Sequence, residues 1–277
     1  MHKVRKHLTN LFIYAVLVFT ILISVFPILW VIFSAFKTNA QILSNPFSLP
    51  AGVDFSVFDY LFTHYRFPAY MLNSLLASIS STLISLLIFA MGAYVFAKYE
   101  FPLKDLLYTF FVITLLVPGQ AKAQPFFSLV MKMNLYDSIW GVALVYLSCG
   151  LAMSMFILRS TFASIPKSFD EAAELEGGSF ISIFFKINIP LAKNGLSTAG
   201  ILMFLNNWNE YFFAALLTTS DKSRTLPVAL QFFNESFSYD YTKLFAALTI
   251  VILPGIILYA FTQEQVQESF AATGIKG

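Results

Sequence analysis

Long apolar runs constrain this chain more than anything else in it. Six of them, residues 11–36, 71–97, 106–120, 138–158, 196–217 and 243–262, carry few charges. A hydrocarbon core about 30 Å thick takes roughly 20 apolar residues of helix to cross, so each run is a candidate span and the third is the shortest. Only 12% of residues are charged and 32 are phenylalanine, which leaves too little polar surface for a water-soluble globule. The expectation is an all-α, polytopic membrane protein with six transmembrane helices. Basic residues precede the first run as they do in a secretory signal. That run is far longer than a signal's apolar region, however, and no small-residue cleavage site follows, so it is read as a retained anchor.

Alternating spans would put Lys3, Arg5, Lys6 and seven further Lys and Arg residues on one side, ten in all, against seven on the other. The basic N-terminal run carries most of that bias and makes both termini cytoplasmic. A formal net charge of +2 with no basic face excludes nucleic acid as a partner. Cys149 stands alone and His2, His7 and His64 are scattered, so neither a disulfide framework nor a metal centre is expected.

Within the apolar background three features stand out. Ser74, Ser78, Ser81 and Ser85 recur at helical spacing on one face of the second run. That suits either close helix packing, the favoured reading, or a pore lining. Pro27, Pro118 and Pro254 interrupt or border runs and mark kinks or hinges. NNWNEY at 206–211 lies inside the fifth run, where helical spacing would put Asn206, Asn209 and Glu210 on one face. A carboxylate at that depth costs about 2.5 to 3.5 kcal/mol on insertion scales, so these residues either line or gate a solute path or bond between helices.

The longest cytoplasmic interruption, residues 161–195, holds DEAAELEGG, with four carboxylates in seven residues. Ser168 and Glu171 have capping-box spacing, and Gly177 or Gly178 can take the left-handed conformation that ends a helix. A helix over about 169–176 is predicted, with a second opening at Ser179 and Pro190 breaking the chain before the fifth span. Two turns are marginal in water, so this helix must dock. Phe169, Ala172, Ala173 and Glu176 form its docking face, and the remaining acidic residues point elsewhere, free to meet a partner's basic groups. On the residues alone, a solvated acidic connecting loop is the slightly favoured reading.

EAAELEG at 171–177, nine residues, then INIP at 187–190 resembles the EAA signature of ATP-binding-cassette (ABC) importer permeases, with Ile189 in place of leucine. PILWVIFSAFK, NSL, AYVFAKYEF, WNEYFFAALL and the ending ATGIKG occur in the order seen in the second permease of carbohydrate importers of the maltose-transporter type. Gly178 replaces the family's usual alanine, and Ser269 and Ala272 replace glycines common in its tail. The resemblance implies the type I importer permease fold as one domain over 1–277, with a core over about 71–262, a coupling-helix loop at 160–195 and a cytoplasmic tail at 263–277. Glu171, Ala172, Ala173 and Gly177 inherit the coupling role, with Phe169, Glu176 and Pro190 beside them. Gly274, Lys276 and Gly277 lie in a tail that in the family reaches the ATPase.

No G-x-x-x-x-G-K-[ST] is present, so this chain binds no cofactor of its own, and ATP with Mg belongs on a separate ATPase. The implied partners are a homologous permease forming a heterodimer, two ATPase subunits, an extracytoplasmic sugar-binding protein and membrane lipid. The alternatives are an ion-coupled secondary transporter, for which Glu210 is nearly the only intramembrane ionisable group, or an importer permease for a non-sugar solute. An intramembrane enzyme lacks any set of nucleophile, base and orienting group.

Overall fold

The computed structural model describes residues 2–236 and 240–274. Every regular element among them is helical. In chain order they are α1 (His2–Ser34), α2 (Asn39–Ser44), α3 (Ser56–His64), α4 (Phe67–Lys98), α5 (Lys104–Ile113), α6 (Ala123–Lys132), α7 (Ile139–Tyr146), α8 (Leu151–Ser164), α9 (Ser168–Leu175), α10 (Phe180–Ile183), α11 (Ile189–Leu191), α12 (Lys193–Trp208), α13 (Phe212–Leu217), α14 (Leu226–Ser236) and α15 (Tyr241–Gly274).

Three helices among the described residues are long and apolar enough to cross a membrane unaided: Thr9–Ser34 of α1, all of α4, and Tyr241–Phe261 of α15. They match the first, second and sixth runs. Pro27 and Pro254 lie inside α1 and α15 without ending either. The other three runs are broken, which corrects the expectation of continuous helices. In the third, α5 tightens through Thr114–Leu116, and the axis then turns by 108° into Gly119–Lys122 and α6. Pro118 sits at that corner, where its missing N–H and ring cannot extend the preceding turn. In the fourth, α7 and α8 meet at 49°. Gly150 supplies the left-handed residue there, with φ +80°. In the fifth, helix stops at Trp208 and resumes at Phe212.

Packing divides the chain into two units, Met1–Phe67 with Leu230–Leu253 and Pro68–Ala229 with Pro254–Gly277. In the first, α1 exposes Phe12, Phe19 and Leu22, an apolar surface suited to lipid. Trp30 meets Phe245 edge-on at 5.0 Å. Trp30 Nε1 and Lys37 Nζ both donate to the Pro46 carbonyl at 2.8 Å, holding the following loop to the end of α1. That loop carries two short helices, α3 and, before it, α2, which opens with a capping box at Thr38.

The second unit is built on α4. Its serine face is buried, so helix packing is the reading that stands. Ser74 Oγ accepts from the Leu226 amide at 2.7 Å, Ser81 Oγ accepts from Asn207 Nδ2 at 3.0 Å, and Ser85 Oγ donates to the Leu147 carbonyl at 2.7 Å. The last bond satisfies a carbonyl freed where α7 ends.

Candidate functional site

The signature segment folds as a short helix on a rigid base. α9 runs from Ser168 to Leu175, close to the expected 169–176. Its start differs. The helix opens at Lys167 with no side-chain cap, and the Lys167 carbonyl accepts from the amides of Asp170 and Glu171. Pro166 pre-sets the turn one residue earlier than expected, so Ser168 is already helical and cannot cap; the capping box does not form. Asp170 and Glu171 still lie in the first turn, where the helix dipole favours them.

The end is as expected. Gly177 has φ +82°, its amide donates to the Glu174 carbonyl at 3.0 Å, and the Gly178 amide donates to the Ala173 carbonyl at 2.8 Å. Those two bonds make a Schellman motif. A Cβ on Gly178 would lie 2.8 Å from the Ala173 oxygen, so the alanine usual in the family would crowd this turn. Ser179 caps α10 through the Ser182 amide at 3.3 Å. Pro190 does not break the chain: it lies within α11, preceded by a wide π-type turn over Phe184–Asn188.

The faces of α9 are sorted more sharply than the spacing suggested. Phe169, Glu171, Ala172 and Glu176 are exposed, Ala173 is half-buried, and Leu175, absent from the expected face, is 91% exposed. Leu175 and Phe169 are therefore both open to contact with another molecule. Asp170 corrects the expectation that the other carboxylates point outward, because it is the one buried residue of α9. Its Oδ2 lies 2.8 Å from Lys98 Nζ, and its Oδ1 accepts from Asn188 Nδ2 at 2.6 Å. Lys98, the last residue of α4, also donates to the Ile165 carbonyl at 2.8 Å. The side chains of this ion pair are 4% and 11% exposed, so removing one partner would strand a buried charge at a cost of about 3–5 kcal/mol.

Around that pair Tyr94 packs on Phe162, Phe180 and Phe184 at 5.6, 5.5 and 5.2 Å, fastening α4, α8, α10 and the π turn together. At the root of the loop α8 and α12 touch closely. A Cβ on Gly195 would lie 2.1 Å from Thr161 Oγ1.

The second candidate group is dispersed. Because α12 ends at Trp208, Asn206, Asn209 and Glu210 do not share a helical face. Asn206 and Asn209 are exposed, and Asn209 Nδ2 donates to the Leu205 carbonyl at 2.8 Å. The carboxylate of Glu210 accepts from the amides of Phe213 and Ala214 at 2.8 and 3.1 Å, so it satisfies donors that open α13. Asn207, which the pattern passed over, is buried and bonds Ser81. A cavity of about 820 Å³ runs along α4 and α12, with Ile79, Leu83, Pro190, Gly200 and Phe204 in its wall. Gly274 ends α15, while Lys276 and Gly277 lie outside the described residues.

On another loop, Asp137 Oδ1 accepts from the amides of Thr219 and Ser220 at 2.8 and 2.9 Å and from the Ser223 hydroxyl. Burial pushes its carboxyl up, but those hydrogen bonds together hold it well below the usual carboxylate range.

Residues 86–270 match the family described as binding-protein-dependent transport system inner membrane component. The chain is 32% identical over 257 residues to a putative ABC transporter permease protein, ORF2, of Caldicellulosiruptor, covering 92% of this chain and 93% of that one. It is also 32% identical over 258 residues to the diacetylchitobiose uptake system permease protein NgcG of Streptomyces coelicolor, covering 92% and 85%. A bacterial ABC transporter involved in import of the acidic polysaccharide alginate shares the fold, with a TM-score of 0.81 at 24% identity over 94% of this chain and 97% of that one.

Proposed function

Since the chain belongs to the family of binding-protein-dependent transport system inner membrane components, we propose that it imports a sugar or oligosaccharide and takes its driving force through α9. It is a membrane-embedded permease subunit of an ABC importer, not an enzyme, and its fold is that of importer permeases. Relatives named for diacetylchitobiose and trehalose transport support the solute class.

In this reading the chain is one permease domain that crosses the membrane six times, the broken helix pairs serving as the third, fourth and fifth crossings, with both termini cytoplasmic. It pairs with a homologous permease, engages one of two ATPase subunits that hold ATP and Mg, and receives solute from an extracytoplasmic binding protein. Phe169, Glu171, Ala172, Ala173, Glu176 and Gly177 form the ATPase contact, with Pro190 closing the segment. Asn206, Asn209 and Glu210 border the solute path, and Gly274, Lys276 and Gly277 belong to a tail that reaches the ATPase. One observation carries the coupling assignment: a two-turn helix with the EAA sequence, ended by a Schellman turn at Gly177, turns Phe169 and Leu175 to solvent.

The test is cysteine cross-linking from Ala172→Cys in intact cells, together with sugar-stimulated ATP hydrolysis by the co-purified complex. Capture of an ATPase subunit and stimulation by a sugar are expected. Uptake that survives ATP depletion but collapses with the ion gradient would refute the reading.

A further inference from the structure

We propose that the Lys98–Asp170 ion pair is the positioning contact through which α9 moves α4, so that it transmits ATPase motion to the membrane helices rather than only holding the loop together. This rests on α9 being the ATPase contact. Asp170 is the single buried residue of α9, and the rest of that helix offers half-buried Ala173 or exposed side chains. Besides its backbone links to α8 and α10, the helix therefore grips the protein body mainly through this carboxylate.

The position of its partner is equally specific. Lys98 ends α4, and its ammonium bonds at once to Asp170 of α9 and to the Ile165 carbonyl just past α8, both at 2.8 Å. Asn188, from the π turn that leads into α11, grips the other carboxylate oxygen at 2.6 Å. Three approaches to the membrane helices thus converge on one buried charge pair.

Such a pair resists being pulled apart, because separation leaves each charge desolvated without its counter-ion. Apolar packing alone slides more easily. The aromatic contacts of Tyr94 with Phe180 and Phe184 lie downstream of α9 and hold the loop's far side. Lys98 and Asp170 are far apart in the sequence, so the link is a tertiary contact between α4 and α9 and not a local turn.

The test uses the complex that co-purifies with the tagged full-length chain, carrying Cys149→Ser and a bimane label at Leu87→Cys, an exposed position of α4. It is reconstituted in phosphatidylethanolamine–phosphatidylglycerol vesicles. MgATP with vanadate should shift the bimane emission in this parent. In Lys98→Met and in Asp170→Asn the shift should fall about tenfold while the ATPase co-purifies in an unchanged ratio, and Lys98→Arg should keep most of it. An undiminished shift in both variants, with capture unchanged, overturns this proposal alone. Loss of capture in both also overturns it, since the pair would then only shape the docking surface. A parent that captures no ATPase refutes the parent reading of α9 and this proposal together.

Discussion

Gly195→Ala should loosen the root of the coupling loop. The added Cβ would lie 2.1 Å from Thr161 Oγ1, 2.7 Å from its Cγ2 and 2.8 Å from its Cβ, where carbon atoms in ordinary contact stay about 3.5–4.0 Å apart. Rotating Thr161 moves Oγ1 and Cγ2 but leaves its Cβ in place, and it gives up the Thr161 hydroxyl bond to the Ile157 carbonyl at 2.9 Å. α8 and α12 must therefore separate. Overpacking of this kind costs about 1–3 kcal/mol, which changes the folded-to-unfolded ratio by about 5- to 150-fold.

Thr161→Ala removes the two nearest atoms and leaves a smaller adjustment around its Cβ. The double variant should then recover at least about 0.5 kcal/mol relative to the sum of the two single changes, the lower end of coupling between touching residues. The assay is the thermal unfolding midpoint of the purified chain in detergent, measured on all four members of the cycle. A Gly195→Ala protein as stable as the parent, or single changes that simply add, would refute the close contact between α8 and α12 and the reasoning built on it.

Other expectations follow from single side chains. Leu175→Ser should leave stability within about 0.5 kcal/mol of the parent, because the residue is 91% exposed. It should weaken capture of the ATPase in pull-downs. Glu210→Ala should destabilise by about 1.5–3 kcal/mol through loss of charged acceptors for the Phe213 and Ala214 amides. Glu210→Gln should cost less and preserve ATP-driven uptake, whereas a carboxylate used for proton coupling would not tolerate it. Asp137 has a lowered folded-state pKa, so its contribution is present in full above its unfolded value of about 3.9 and is lost as pH falls further. The gap in unfolding midpoint between parent and Asp137→Asn should hold from pH 7 to about pH 4 and close below it. A gap that instead changes between pH 7 and pH 5 would refute this.

Local chemistry was readable from the chain. The six apolar runs, the short helix at α9, the left-handed Gly177 and the cap at Ser179 all follow from side-chain type and backbone allowance within a few residues. The misses have the same character. Ser168 lost its cap because Pro166 had already set the turn. Glu210 lost its helical face because α12 stops two residues earlier, leaving its carboxylate to bond the open turn of α13. Neither competition is visible in a spacing rule.

By itself the sequence determined that this protein lives in a membrane, that it is helical, and that a two-turn acidic segment interrupts it with an importer-permease signature. Composition and period settle those points because they are summed over neighbours. Only the tertiary structure decided which polar groups are internal, Asp170 against Lys98 and Asn207 rather than Asn206, and where a side chain has no room, as at Gly195 under Thr161. In an apolar interior a charge or a hydroxyl is stable only where a partner lies within bonding distance, and a glycine matters only where another chain segment fills its missing Cβ. Both conditions depend on residues far apart in the chain, so they exist only once the helices have met.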